Sequence, residues 1–177
     1  MASTTPPLRR FRGRVRPLRP GDEARLQDFF RSHTPDTIHD RYGGVVTTMS
    51  EERARELVGV DQTRDCALGS FTRDGQTLLA VGRYCLDPAG DAAELAFVVR
   101  ETVRRRGVGT RLLQLLMAAA RARRLRRLWA QVDVHNASML GIFRHHGFTL
   151  TPQPGSGDVR ATLELSRDPR GVRPAAA

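Results

Sequence analysis

The segment 93–124 constrains the fold more than any other part of the chain. Residues 93–100 form an apolar run with one acid, Glu94, inside it. Arg104-Arg105-Arg106-Gly107-Val108-Gly109-Thr110 follows within a few residues. From Val108 the sequence turns amphipathic as far as Arg124, with Leu112, Leu115, Leu116, Ala119 and Ala122 on one helical stripe. The run reads as a buried strand and the stripe as a helix packed on a sheet. A strand feeding such a helix through a cationic, glycine-containing loop commits the chain to a layered α/β architecture.

Three arginines at a helix start are unfavourable by themselves. The aligned peptide dipoles already put partial positive charge there, and each added cation costs about 0.3–1 kcal/mol at a solvated surface. An anion in that position reverses the sign. Gly107 and Gly109 remove side chains where a diphosphate meets bare backbone amides, and Thr110 adds a hydroxyl donor. The loop is read as a pyrophosphate cradle, with a solvated basic turn as the alternative. A dinucleotide fingerprint needs a third glycine and an acid further on, and a nucleotide-triphosphate loop needs Gly-Lys-Ser/Thr; neither is present.

The remaining chain reads as one domain, 14–166, between a disordered arm at 1–13 and a disordered tail at 167–177. Residues 15–18 form a short strand, and Asp22 caps a helix to about Arg31 with Leu26, Phe29 and Phe30 inward. Pro35 opens a short helix stopped by Gly43-Gly44, and Ser50 caps a third as far as Val58. Strands at 66–72 and 77–86 flank Arg73-Asp74-Gly75, a hairpin signal. After the 93–124 unit come a strand at 128–134, a helix at 137–146 and two closing strands, 148–151 and 159–165. The expected fold is α/β (α+β): a mixed, mostly antiparallel twisted sheet with helices on both faces.

Composition excludes several alternatives. A chain of 177 residues, 40% hydrophobic, buries a core without disulfides or metals. Cys66 and Cys85 lack metal-ligand spacing and read as small core residues; the five histidines form no ligand motif, so no metal is expected. No apolar run approaches the ~20 residues of a membrane span, and no apolar stretch follows the N-terminal arginines, so a cytoplasmic location is expected. The net charge is +10, and all 29 basic residues are arginine. Arg121, Arg123, Arg124, Arg126 and Arg127 sit at a helix end that favours cations, and no aromatics interleave them. A nucleic-acid partner is therefore not expected, nor is a membrane.

Arg104–Gly109 matches R/Q-x-x-G-x-G/A, and the chain here resembles the GNAT N-acetyltransferase superfamily. Asn136, Phe143 and Gly147-Phe148 resemble that family's N-x(6)-Y-x-x-x-G-F segment, and Arg16–Asp22 its opening strand and helix cap. The resemblance implies a GNAT fold with a splayed parallel strand pair and acetyl-CoA as co-substrate. It implies that the pantetheine arm runs along Phe97, Val98 and Val99, with the Val99 amide holding the thioester carbonyl and stabilising the oxyanion. Arg104, Arg105, Arg106, Gly107, Val108, Gly109 and Thr110 would take the diphosphate, and Asn136, Ser138 and Phe143 would touch the cofactor from the next helix.

Glu94, surrounded by Ala, Leu, Phe and Val, is expected to be buried and to serve as the general base for the acceptor amine, with a strand-end carboxylate paired with an arginine as the alternative. Phe143 stands where the family often has a tyrosine acid; a thiol of pKa about 8.5 leaves as thiolate without strong help. Attack is expected to be direct, in a ternary complex. The sequence around 16–42 and 93–113 resembles the catalytic domain of bacterial Pat-type protein lysine acetyltransferases, which implies a protein lysine as acceptor. A small-molecule amine is the alternative acceptor, and a catalytically silent acyl-CoA sensor the alternative role. A monomer or a homodimer is compatible with the sequence.

Overall fold

The turn at Thr72–Thr77 starts the sheet. Gly75 takes φ 75°, where any side chain would be strained, and Asp74 accepts hydrogen bonds from the Thr72 hydroxyl and the Gln76 amide. It joins β2 (Cys66–Phe71) to β3 (Leu78–Leu86), as the Asp-Gly signal predicts. The computed structural model describes residues 13–42 and 48–165. The expected arm (except Gly13), the tail at 167–177 and the Gly43-Gly44 helix stop lie outside the described residues.

Around that hairpin the order is β1 (Arg14–Pro17), α1 (Glu23–Arg31), α2 (Pro35–Tyr42), α3 (Glu51–Val58), β2, β3, β4 (Ala92–Val99), a 3-10 turn (Glu101–Val103), α4 (Val108–Ala122), β5 (Arg127–Asp133), α5 (Ala137–His145), β6 (Thr149–Gln153) and β7 (Asp158–Glu164). Hydrogen bonding links the strands as β1-β2-β3-β4-β5-β7-β6. β4 and β5 run parallel; the pairs β1–β2, β2–β3, β5–β7 and β6–β7 are antiparallel. This is the mixed, mostly antiparallel sheet the sequence predicts.

Packing divides the chain into two compact units, Met1–Cys85 with Leu95–Leu116 and Leu86–Glu94 with Met117–Ala177. In the first, Leu26, Phe29 and Phe30 of α1 and Ala54 and Val58 of α3 bury against Phe71, Leu78 and Val98. Each such large side chain contributes about 1.5–3 kcal/mol when fully removed from water. Strand alternation then covers both faces. Val81 packs on this cluster, whereas a Cβ built on Gly82 would lie 2.8 Å from Leu116 and 2.9 Å from Leu112 of α4. Glycine at 82 is what lets α4 seat on β3.

In the second unit β5 alternates cleanly. Leu128, Ala130 and Val132 are buried, and Arg127 and Gln131 are exposed, with β7 in register along the whole strand. α5 turns Phe143 inward onto Phe148, with ring centroids 4.7 Å apart.

Two local expectations are corrected. Ser50 caps α3 by accepting from the Arg53 amide, but Asp22 makes no side-chain cap to α1. Its carboxylate is buried and takes a bidentate grip from Arg16 at 2.7 and 2.8 Å. The inward face of α4 is Leu112, Leu113, Leu116, Met117 and Ala120, while Ala122 is exposed. The helix ends at Ala122, and Arg124 adopts φ 59°.

Candidate active site

The C-terminal end of β4 is tied to β3. Its parallel ladder with β5 covers Ala92, Ala93 and Glu94, paired with Arg127, Leu128 and Trp129, yet the strand continues to Val99. Arg100 donates its amide to the Leu79 carbonyl of β3 at 2.8 Å. Successive residues of a strand present their polar groups to opposite edges, so Val99 turns its amide and carbonyl to the edge away from β3. The Arg100 side chain fixes the strand end further, donating to the Leu78 carbonyl and pairing with Asp28 of α1 at 2.9 Å.

The loop beyond is shaped by two left-handed residues, Arg105 at φ 59° and Gly107 at φ 78°. For arginine that conformation costs about 1–2 kcal/mol, a strain of the kind that clusters at ligand-binding turns. A Cβ on Gly107 would meet nothing within 4 Å; its glycine answers the backbone angle, and the space beside it is open. The first helical bond of α4 runs from the Arg111 amide to the Gly107 carbonyl, so the amides of Val108, Gly109 and Thr110 have no intrahelical acceptor. Arg105 and Arg106 are exposed, and among the described residues neither carries an ion pair. Bare amides, two uncommitted cations and open space fit a diphosphate.

Arg104 does something else. Its Nε donates to the Val99 carbonyl at 3.3 Å and its Nη2 to the Thr37 hydroxyl at 2.8 Å. Glu101 lies beneath, accepting from the Thr34 amide at 3.1 Å and from the Thr34 and Thr37 hydroxyls, both at 2.9 Å. The Thr34 amide and the Thr37 hydroxyl, followed by the Thr34 hydroxyl and the charge of Arg104, hold Glu101 below the usual carboxylate range against desolvation. Next to it His33 donates from Nδ1 to the Phe29 carbonyl, and its buried Nε2 has no partner among the described residues. Burial pushes the His33 ring toward its neutral form; the Phe29 carbonyl and Glu101 oppose that, and Arg104 and Arg100 reinforce it. The sequence reading missed Thr34, Thr37 and Glu101. An acid directly before three arginines is a signal, but its partners lie 64 and 67 positions away.

The second unit carries the other predicted residues. Glu94 is exposed, contrary to its expected burial, because Ala93 and Leu95 on the opposite face of the pleat fill the core instead. Its neighbour in register is Trp129. The Trp129 indole donates to Asp87 at 3.1 and 3.3 Å, and the Arg160 guanidinium lies 4.0 Å from its ring centroid. Asn136 caps α5 through the Met139 amide, and Ser138 is exposed on its first turn. Phe143 is corrected: at 1% exposure it is a core residue packed on Phe148 and presents no surface to a cofactor. Of the arginines around the α4–β5 connection, Arg126 pairs with Asp91 and Arg127 with Glu164.

A mixed sheet of this strand order, with a cationic loop between β4 and α4, is an acyltransferase scaffold. The model of the Acetyltransferase (GNAT) family matches residues 26–148, and the chain belongs to that family. The GNAT domain of S. lividans PAT is 28% identical over 86% of this chain and 90% of that one, with a TM-score of 0.79. A GNAT-family acetyltransferase from Streptococcus pneumoniae aligns over 87% of this chain and 99% of its own, at 19% identity and TM-score 0.72. The PaiA N-acetyltransferase of Thermoplasma acidophilum, solved with coenzyme A, aligns over 88% and 100%, at 17% identity and TM-score 0.70. The chain is an N-acetyltransferase by family. Among the described residues, no helix is long and apolar enough to cross a membrane.

Proposed function

We propose that the protein moves the acetyl group of acetyl-CoA to a primary amine by direct attack in a ternary complex, and that the amine is a protein lysine. One observation carries the cofactor assignment: the turn at 105–110 joins free helix amides, two left-handed residues and two unpaired arginines directly behind the end of β4. Arg105, Arg106 and the amides of Gly107, Val108, Gly109 and Thr110 hold the diphosphate, and the pantetheine lies along Phe97, Val98 and Val99. Acetyl-CoA supplies the activated carbonyl; the outward Val99 amide donates to it and stabilises the negative charge that develops there.

A lysine amine near pKa 10.4 costs about 4–5 kcal/mol to neutralise at pH 7. Glu94, exposed on the β4 face, takes that proton directly or through water. The similarity to the S. lividans PAT domain and the resemblance of 16–42 and 93–113 to Pat-type catalytic domains support a protein lysine over a small amine.

Thiol release from acetyl-CoA, measured against lysine peptides, polyamines, aminoglycosides and amino acids, tests the acceptor. Turnover with lysine peptides alone supports the reading, and exclusive turnover with a small amine replaces it. CoA binding without turnover on any amine leaves a sensor. Substituting Arg105→Ala with Arg106→Ala should weaken CoA binding by more than about tenfold, or 1.4 kcal/mol, by calorimetry; unchanged affinity removes the cradle. Glu94→Gln should lower kcat by about a hundredfold, with the KM for acetyl-CoA unmoved.

A further inference from the structure

We infer that Arg104, the first residue of the R-x-x-G-x-G motif, is a positioning residue: with Thr37 and Glu101 it fixes the end of β4 so that the Val99 amide meets the thioester carbonyl. This rests on the acetyl-CoA reading above.

The hydrogen bonds have one consistent direction. Arg104 has only donors, and two of them are spent, Nε on the Val99 carbonyl at 3.3 Å and Nη2 on Thr37 Oγ1 at 2.8 Å. Thr37 has one proton, which goes to Glu101 at 2.9 Å, leaving its lone pairs to accept from Arg104. Glu101, also gripped by the amide and hydroxyl of Thr34, cannot turn away. The chain of contacts therefore runs from the N-terminus of α2 to the last carbonyl of β4. Thr37 is 8% exposed, so the middle of this link is shielded from competing water, while the Arg104 side chain at its end is about half exposed.

Arg100 pins the same strand end from the β3 side, through its amide on Leu79 and its side chain on Leu78 and Asp28. Val99 is thus held between two arginines that reach different elements. Its carbonyl and its amide face the same edge but lie in adjacent peptide planes, so pinning the carbonyl restricts the amide through the φ and ψ of Val99 alone. A guanidinium achieves this through the fixed geometry of its fork; an ammonium at the same place keeps the charge and loses the paired directions. That difference separates positioning from simple phosphate attraction.

The test uses the full chain, CoA, and acetyl-CoA labelled with ¹³C at the acetyl carbonyl. Arg104→Lys, Thr37→Val and Thr37→Ser are compared with the parent. CoA affinity by calorimetry should stay within about twofold in all four. The downfield displacement of the bound carbonyl resonance, a signature of the Val99 hydrogen bond, should persist in Thr37→Ser and fall by at least about half in Arg104→Lys and Thr37→Val. Thermal melting reports whether Thr37→Val folds; if it does not, Arg104→Lys decides. The inference is overturned if Arg104→Lys keeps the full displacement, if it loses CoA affinity about tenfold as a phosphate ligand would, or if the parent shows no displacement. A parent that fails to bind CoA defeats instead the cofactor reading beneath it.

Discussion

Asp22 and His33 are ionisable groups whose pKa values the fold lowers, favouring the charged form of one and the neutral form of the other. Burial works against the Asp22 carboxylate, yet the Arg16 fork, the Arg19 amide and the charges of Arg16 and Arg25 more than offset it and hold its pKa below the usual range. A depressed acid stabilises the fold above its unfolded pKa of about 3.9, and that contribution disappears as pH falls through the lower folded value. Asp22→Ala should cost about 2–3 kcal/mol, below the value for a fully buried pair because Arg16 keeps partial solvent access. Urea titration should show a lower midpoint with an unchanged slope. His33 runs the other way. Its pKa is depressed, chiefly by burial, so the unfolded chain binds the proton more readily, and stability falls as pH drops below about 6.5. Melting temperatures measured from about pH 7.5 to 5.5 should decline in the parent and flatten in His33→Gln; an equal decline in both would clear His33. Neither role was legible beforehand. Asp22 reads as a cap because it precedes a helix, and only the fold brings Arg16 across to claim both its oxygens.

Elements were far more legible than the side chains between them. The Asp-Gly hairpin, the Ser50 cap and the strand–loop–helix at 92–122 follow from local chemistry, and the structure has all of them. The rotation of α4 did not follow. Its sequence, VGTRLLQLLMAAARA, is apolar on more than half its circumference, so periodicity admits adjacent stripes and cannot choose between them. The choice is made by Gly82 on β3, which admits Leu112 and Leu116 at contact distance. The burial expected of Glu94 failed for the related reason that an apolar run hides which face of its strand is covered. Gly82→Ala tests the α4 docking. A Cβ at 2.8–2.9 Å from two leucines forces α4 outward and costs about 1–3 kcal/mol. Because the first turn of that helix carries the diphosphate amides in the proposed site, CoA affinity should fall along with the melting temperature. A variant that loses stability but binds CoA as tightly as the parent would uncouple the packing from the site.

At the scale of the molecule the charge sets how fast an anion arrives. Twenty-nine arginines against nineteen acids leave +10, and the absence of lysine means that no side-chain amine of the chain itself competes for the acetyl group. The charge bears on binding rates and not on the fold. CoA is polyanionic, and a distributed positive field raises its encounter rate in a way that salt abolishes, since the screening length shrinks from about 10 Å at 0.1 M to about 3 Å at 1 M. The two arginines of the turn act at contact distance, where screening is weaker. The contributions therefore separate by rate constant. In stopped-flow binding the association rate of the parent should fall roughly tenfold between about 0.05 and 0.5 M salt, with dissociation changing less. The Arg105→Ala with Arg106→Ala variant should keep most of that salt dependence and dissociate faster at every salt concentration. If both rates were indifferent to salt, the excess arginine would have no part in cofactor capture. If the double variant lost only association, the turn would steer CoA without holding it, and the diphosphate would have to be gripped elsewhere.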